Sequence, residues 1–172
     1  MHQLHLLRHA KSSWDDDAED RERPLNRRGR DAAALVGETL PKAIGALDLV
    51  LCSSALRTRE TAELVLARFA QPPRVLYEDG LYLASEAKLM QRLRRLDEQT
   101  NSVLVIGHNP GLHELAVALA APGSPAAVAH NEGKFPTGVR VSFAIAASWS
   151  EIADARHPIT GYVTVKSLGG KD

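Results

Sequence analysis

The chain has one cysteine in 172 residues, so no internal disulfide can form and a small bridge-stapled fold is excluded. Val50 and Leu51 flank that residue, Cys52, with apolar neighbours, which points to a buried thiol rather than a nucleophile. Aromatic residues supply only 5% of the chain against 44% hydrophobic overall, so any core must be mainly aliphatic. An excess of either charge is missing too. With 21 Lys and Arg balancing 21 Asp and Glu, and a sequence pI near 7.1, no global positive field exists to gather nucleic acid or anionic lipid. An anion would have to be captured by a local cluster. No apolar run approaches the roughly 18 residues of a membrane span, and Leu4 to Leu7 is too short for a signal-peptide core and runs into charge. The expectation is a cytoplasmic chain with neither membrane nor nucleic acid as partner. HExxH pairs, cysteine clusters and carboxylate-rich ligand spacings are absent, as are the GxxxxGK[ST] and GxGxxG loops, so neither a metal nor a nucleotide cofactor is expected.

What is present is alternation. Gln3 to Arg8, Leu47 to Ser53, Arg74 to Tyr77 and Ser102 to Gly107 are short apolar runs bounded by polar or small residues, the pattern of buried strands. Between and after them, Arg28 to Leu40, Arg59 to Phe69, Ser85 to Leu96 and Leu112 to Ala121 read as helices, with Ser85 as an N-cap. Val139 to Ala147 and Tyr162 to Ser167 alternate in part and are expected to form an antiparallel pair. The predicted fold is therefore α/β: a three-layer sandwich with a mostly parallel central sheet, helices on both faces and an antiparallel C-terminal strand pair, in a single domain spanning 1–172.

Three segments could carry chemistry, each where a buried strand runs out into a loop, the place where open α/β sheets bind ligands. In the first, Arg8 and His9 end the opening strand. A neutral histidine held in one tautomer can attack phosphorus, and a neighbouring guanidinium can grip two phosphoryl oxygens; alone, such a histidine more often satisfies a backbone group. Lys11 and Ser12 could add donors to the same anion. In the second, Ser53 to Ala62 leaves a strand and opens a helix, a natural anion site. There Ser53 and Ser54 could be simple caps, and Arg57 and Arg59, two apart, cannot share a helix face, so at most one enters a pocket. In the third, the strand ending at Gly107 delivers His108 and Asn109 to a turn that begins a helix. His108 occupies the place equivalent to His9 one strand-end over, and Asn109 joins Lys11 and Ser12 as a substrate contact. His2, His5, His113, His130 and His157 show no such arrangement and are read as structural.

Taken together, LLRHAKSSW, RPLNRRGRDAA, SSALRTRETA, VLVIGHNPGL and KFPTG, in that order, resemble the histidine phosphatase superfamily, and within it the SixA-type phosphohistidine phosphatases. The resemblance implies a phosphoglycerate mutase-like fold and a cofactor-independent phosphatase. It implies that His9 is the nucleophile that becomes transiently phosphorylated, that Arg8 and Arg57 clamp the phosphoryl oxygens, and that His108 hydrogen-bonds an equatorial oxygen. The implied partner is a phosphorylated protein, through phosphohistidine, or a small phosphorylated substrate. Where mutase-like members have RHGES and then an asparagine, this chain has Ala10, Lys11, Ser12 and Asp15, so the amide contact of that asparagine is lost. Many members also draw a general acid from the segment after the third strand. Glu78 and Asp79 are the candidates there, although a phosphohistidine, whose leaving imidazole group can already carry its proton, needs such an acid less. The alternatives are a phosphoglycerate-mutase-like phosphotransferase and a non-catalytic phosphate-binding module.

Overall fold

The structure, a computed structural model, describes residues 1–15, 17–125, 128 and 133–171. Six strands form one sheet: β1 (His2–Arg8), β2 (Leu49–Ser53), β3 (Arg74–Glu78), β4 (Ser102–Gly107), β5 (Arg140–Ile145) and β6 (Ile159–Val163), in the order β3-β2-β4-β1-β5-β6. The β3, β2, β4 and β1 strands pair in parallel, and β5 is antiparallel to both β1 and β6. Helices α1 (Arg27–Ile44), α2 (Leu56–Val65), α3 (Glu86–Arg94) and α4 (Gly111–Leu119) cover the sheet.

The two-residue period of the strands sorts their side chains into two cores. Leu4, Leu6, Leu49, Leu51, Val103 and Val105 face one way, and pack with Leu89 and Leu93 of α3, Leu112 and Leu115 of α4, and Trp149. Leu7, Val50, Cys52, Leu104 and Ile106 face the other way, beneath Ala33, Val36 and Leu40 of α1 and Ala62 and Val65 of α2. Both faces are buried, which is why these strands read as continuous apolar runs. Cys52 is fully buried, and burial pushes its thiol up to about 12, as befits a packing residue.

Some boundaries differ from the sequence expectation. Helix α1 continues past Leu40 and through Pro41 to Ile44, while α2 stops at Val65, short of Phe69. The last strand is Ile159–Val163 rather than Tyr162 to Ser167, because Thr164 and Ser167 bond each other's backbone amides and turn the chain out of the sheet. His130 lies outside the described residues.

Two glycines fix how helices approach the strand ends. A Cβ at Gly29 of α1 would fall 1.9 Å from the Lys11 carbonyl oxygen, and one at Gly111 of α4 would fall 1.9 Å from that of Ala84. Neither obstacle is a flexible side-chain tip, so only glycine lets these backbones meet. Gly111→Ala is expected to lower stability by roughly 1–3 kcal/mol through forced backbone displacement. The urea midpoint measures it, and an unchanged midpoint would show that the contact yields freely.

Candidate active site

The β1–β4 register pairs Arg8 with Gly107, so the next residue on each strand, His9 and His108, leaves the sheet at adjoining tips. Their rings lie 5.3 Å apart between centroids. They line a cavity of about 400 Å³ together with Arg8, Lys11, Ser12, Arg57 and Asn109. Each anticipated phosphate-binding residue thus borders one concavity, supplied by the ends of β1 and β4 and the first turn of α2.

Polar contacts orient the side chains that line the cavity. His9 Nδ1 lies 2.7 Å from the Ala10 carbonyl oxygen; since a carbonyl only accepts, Nδ1 carries the hydrogen and Nε2 is left with its lone pair. Arg8 Nη1 donates to the Phe135 carbonyl at 2.8 Å, and Asn109 Nδ2 donates to the same oxygen at 3.0 Å. His108 Nε2 is 2.7 Å from Ser53 Oγ, which in turn accepts from the Ala55 amide. Arg8 Nε, Arg57 Nε and His108 Nδ1 are buried and have no hydrogen-bond partner. Three such groups around one cavity are what an oxyanion would satisfy.

The electrostatics keep both rings neutral. Burial above all, with His108, Arg8 and Arg57 adding repulsion, brings His9 from 6.5 down to about 3 despite its bond to the Ala10 carbonyl. Burial and then Arg57 bring His108 to about 4. Burial also lowers the Arg8 guanidinium from its ordinary value. The counter-charge is Asp20, in a 3-10 turn at Asp20–Glu22. Its carboxylate accepts from Arg57 Nη2 and Arg23 Nε, both at 3.1 Å, and from the Tyr82 hydroxyl, while its carbonyl accepts from Arg57 Nη1 at 2.6 Å. The Tyr82 bond first, then Arg57 and Arg23, hold the Asp20 carboxyl at about 2.

Several sequence expectations are corrected. Glu78 and Asp79 do not line the cavity. Glu78 forms a two-point bridge with Arg92, at 2.8 and 2.9 Å, and Asp79 is engaged by Arg21 and the Ser54 hydroxyl. Asp20 is the carboxylate at the site instead. Ser53 and Ser54 do not cap α2, whose N-cap is Ala55 without a side-chain bond; Ser53 is wholly buried and supports His108. Arg59 diverges from Arg57 and lies over the Tyr77 ring. Among the remaining histidines, His2 stacks on Trp149 and meets Glu98, His113 stacks on Phe135, His157 bonds the Ile152 carbonyl and His5 bonds Ser142. Asp20 and Tyr82 lay in no motif, while Arg23 and Ser53 stood at the start of RPLNRRGRDAA and SSALRTRETA without being read as supports of the site. Asp20 belonged to an acidic run that reads as a charged loop, and only the tertiary approach of that loop to Arg57 distinguishes it.

The profile of the histidine phosphatase superfamily (branch 1) matches residues 4–81. An uncharacterised protein of Mycobacterium tuberculosis is 34% identical over 158 residues, 91% of this chain and 98% of that one. One from Mycobacterium leprae is 31% identical over 151 residues, 85% of this chain and 91% of that one. Among solved structures, a Nakamurella multipartitia protein classed by name with the SixA phosphohistidine phosphatases is similar at 26% identity, with a TM-score of 0.81 and 95% of each chain covered. The protein histidine phosphatase SixA in complex with tungstate gives 24% identity and a TM-score of 0.78, over 96% of this chain and 99% of that one.

Neutral burial of the two rings has a consequence for folding. Their folded values lie below 6.5, so between 6.5 and about 3 to 4 the unfolded chain binds more protons. Stability from this source is complete above pH 6.5 and declines as pH falls towards 4. Urea midpoints across that window should drop in the wild type and drop less in His9→Gln; parallel slopes would mean that His9 is not held neutral.

Proposed function

Since the chain belongs to the histidine phosphatase superfamily, we propose that it is a phosphatase acting through a phosphorylated His9, without a cofactor, and that phosphohistidine on a protein is its preferred substrate. His9 Nε2 directs its lone pair at phosphorus, the P–N bond to the substrate imidazole breaks, and the departing ring keeps the bonding pair. Water then attacks the phosphorus on His9, and the P–Nε2 pair returns to the ring as phosphate leaves. Arg8 and Arg57 stabilise charge on the equatorial oxygens. With the Ser53 hydroxyl hydrogen directed at His108 Nε2, His108 Nδ1 becomes a third donor to that charge. Asp20 holds the Arg57 fork in place.

The observation that carries the substrate reading is the state of the one carboxylate lining the cavity among the described residues. At about 2, Asp20 is ionised throughout the neutral range and has no proton to give an alkoxide. A phosphohistidine ring can already carry a proton on its other nitrogen, so that it departs as neutral imidazole when it takes the P–N pair. The rim agrees with a substrate carried on a larger body, since Trp14 is 78% and Leu83 54% exposed beside the opening.

Comparing kcat/KM for a phosphohistidine peptide and a phosphoserine peptide tests this. The first should exceed the second by about 10² or more, the contribution of a missing general acid; equal values would overturn the substrate reading. Arg57→Ala should lower kcat by roughly 10²- to 10³-fold with the fold retained, and His9→Ala should release no phosphate and trap no acid-labile phosphoprotein. Activity is expected to survive EDTA. Turnover by His9→Ala at the wild-type rate would remove His9 as nucleophile.

A further inference from the structure

On the α1 side of the sheet, across β1, β5 and β6, a second cavity of about 300 Å³ contains a buried cation that the phosphatase chemistry does not use. Arg140 is 8% exposed, and among the described residues no carboxylate pairs with it. The other residues bordering this cavity, among them Gln3, Ala43, Ile44 and Thr160, carry no negative charge. Taking a guanidinium out of water without a counter-charge costs several kcal/mol, which is why buried arginines are ordinarily paired. By contrast, Arg57 and Arg23 share Asp20, and Arg92 has Glu78.

The groups around Arg140 are arranged as donors. Arg140 Nη1 donates to Ser142 Oγ at 2.5 Å, and that oxygen lies 2.6 Å from His5 Nδ1. Ser142 is buried, and His5 Nδ1 is the acceptor within reach of its hydroxyl hydrogen among the described residues; with that hydrogen directed at Nδ1, the ring carries its own on Nε2. That Nε2 is buried and has no partner. Opposite, on β6, a Cβ at Gly161 would come within 3.1 Å of Arg140 Nη1, so glycine leaves the guanidinium its room. The β1–β5 register sets His5 against Ser142 and Leu7 against Arg140, which fixes both donors on one face of the sheet.

We propose that Arg140, His5 and Ser142 form a second anion pocket, separate from the one around His9, that takes a small oxyanion of phosphate or carboxylate type. The guanidinium supplies the charge and a planar fork, and the His5 imidazole supplies a further N–H. The missing counter-ion of Arg140 then comes from solution.

The test follows the ring signals of His5 by NMR while inorganic phosphate, and separately acetate, is titrated into the protein. A saturable shift is expected in the wild type and in Arg57→Ala, whose catalytic pocket is weakened, and the anion with the lower Kd identifies the class. Arg140→Gln should weaken binding about tenfold or more by removing a charge-assisted contact. Thr160→Glu places a competing carboxylate on an exposed residue at the cavity wall and should abolish the shift without disturbing the core; it decides the matter should Arg140→Gln not fold. The proposal is overturned by no saturable shift with either anion, by a shift lost in Arg57→Ala, or by one that persists unchanged in a folded Arg140→Gln or Thr160→Glu.

Discussion

The parallel pairing of β1 with β4, with Arg8 opposite Gly107, is the constraint on which the rest depends. Because side chains alternate along a strand, a slip of one residue would turn Leu4 and Leu6 away from α3 and α4 and move His9 out of step with His108. The aliphatic core and the histidine pair are specified by the same register. Six consecutive pairings, from Gln3 with Ser102 to Arg8 with Gly107, lock it, and both faces of the sheet resist a slip because both are buried.

Gathering Arg8, Arg57 and two imidazoles around one buried cavity would be costly if all were charged. The site limits that cost in two ways. Burial keeps His9 and His108 neutral, so that among these four groups only the guanidiniums are charged, and Asp20 offsets Arg57 and Arg23. Neutrality also suits the nucleophilic role proposed for His9, since a protonated imidazole has no lone pair for phosphorus. One environment therefore serves both folding and chemistry.

How much of this was legible in the sequence follows from which interactions are local. The alternation of apolar strands with amphipathic helices gave the layers, and the polar residue that ends each apolar run marked the strand tips at Arg8, His9 and His108. Helical spacing allowed at most one of Arg57 and Arg59 into a pocket, and the resemblance pointed to Arg57. Glu78 and Asp79 occupied a plausible segment, but distant Arg92, Arg21 and Ser54 claim their carboxylates. Asp20 and Ser53 could not be picked out, because an acidic loop and a serine at a helix start have common local explanations. Their partners lie 37 residues away for Asp20 with Arg57 and 55 for Ser53 with His108. Such pairings exist only after the sheet has formed.

The segment from Phe135 to Ser142 links the two basic regions of the molecule. At its start the Phe135 carbonyl accepts from both Arg8 and Asn109, and the Gly138 amide donates to the Arg8 and His9 carbonyls. At its end, Arg140 and Ser142 enter β5 on the side of the sheet occupied by Leu7 and His5. Gly138 has a positive φ of 78°, a conformation open to glycine at little cost, which lets the chain turn from the cavity mouth into the sheet. A stretch of eight residues thus holds the tips of β1 and β4 in position while presenting a cation on the α1 side of the sheet. The two arginines it serves differ in one respect that geometry alone explains. Arg8 faces a cavity with Asp20 on its wall, whereas Arg140 faces one with no acid among the described residues.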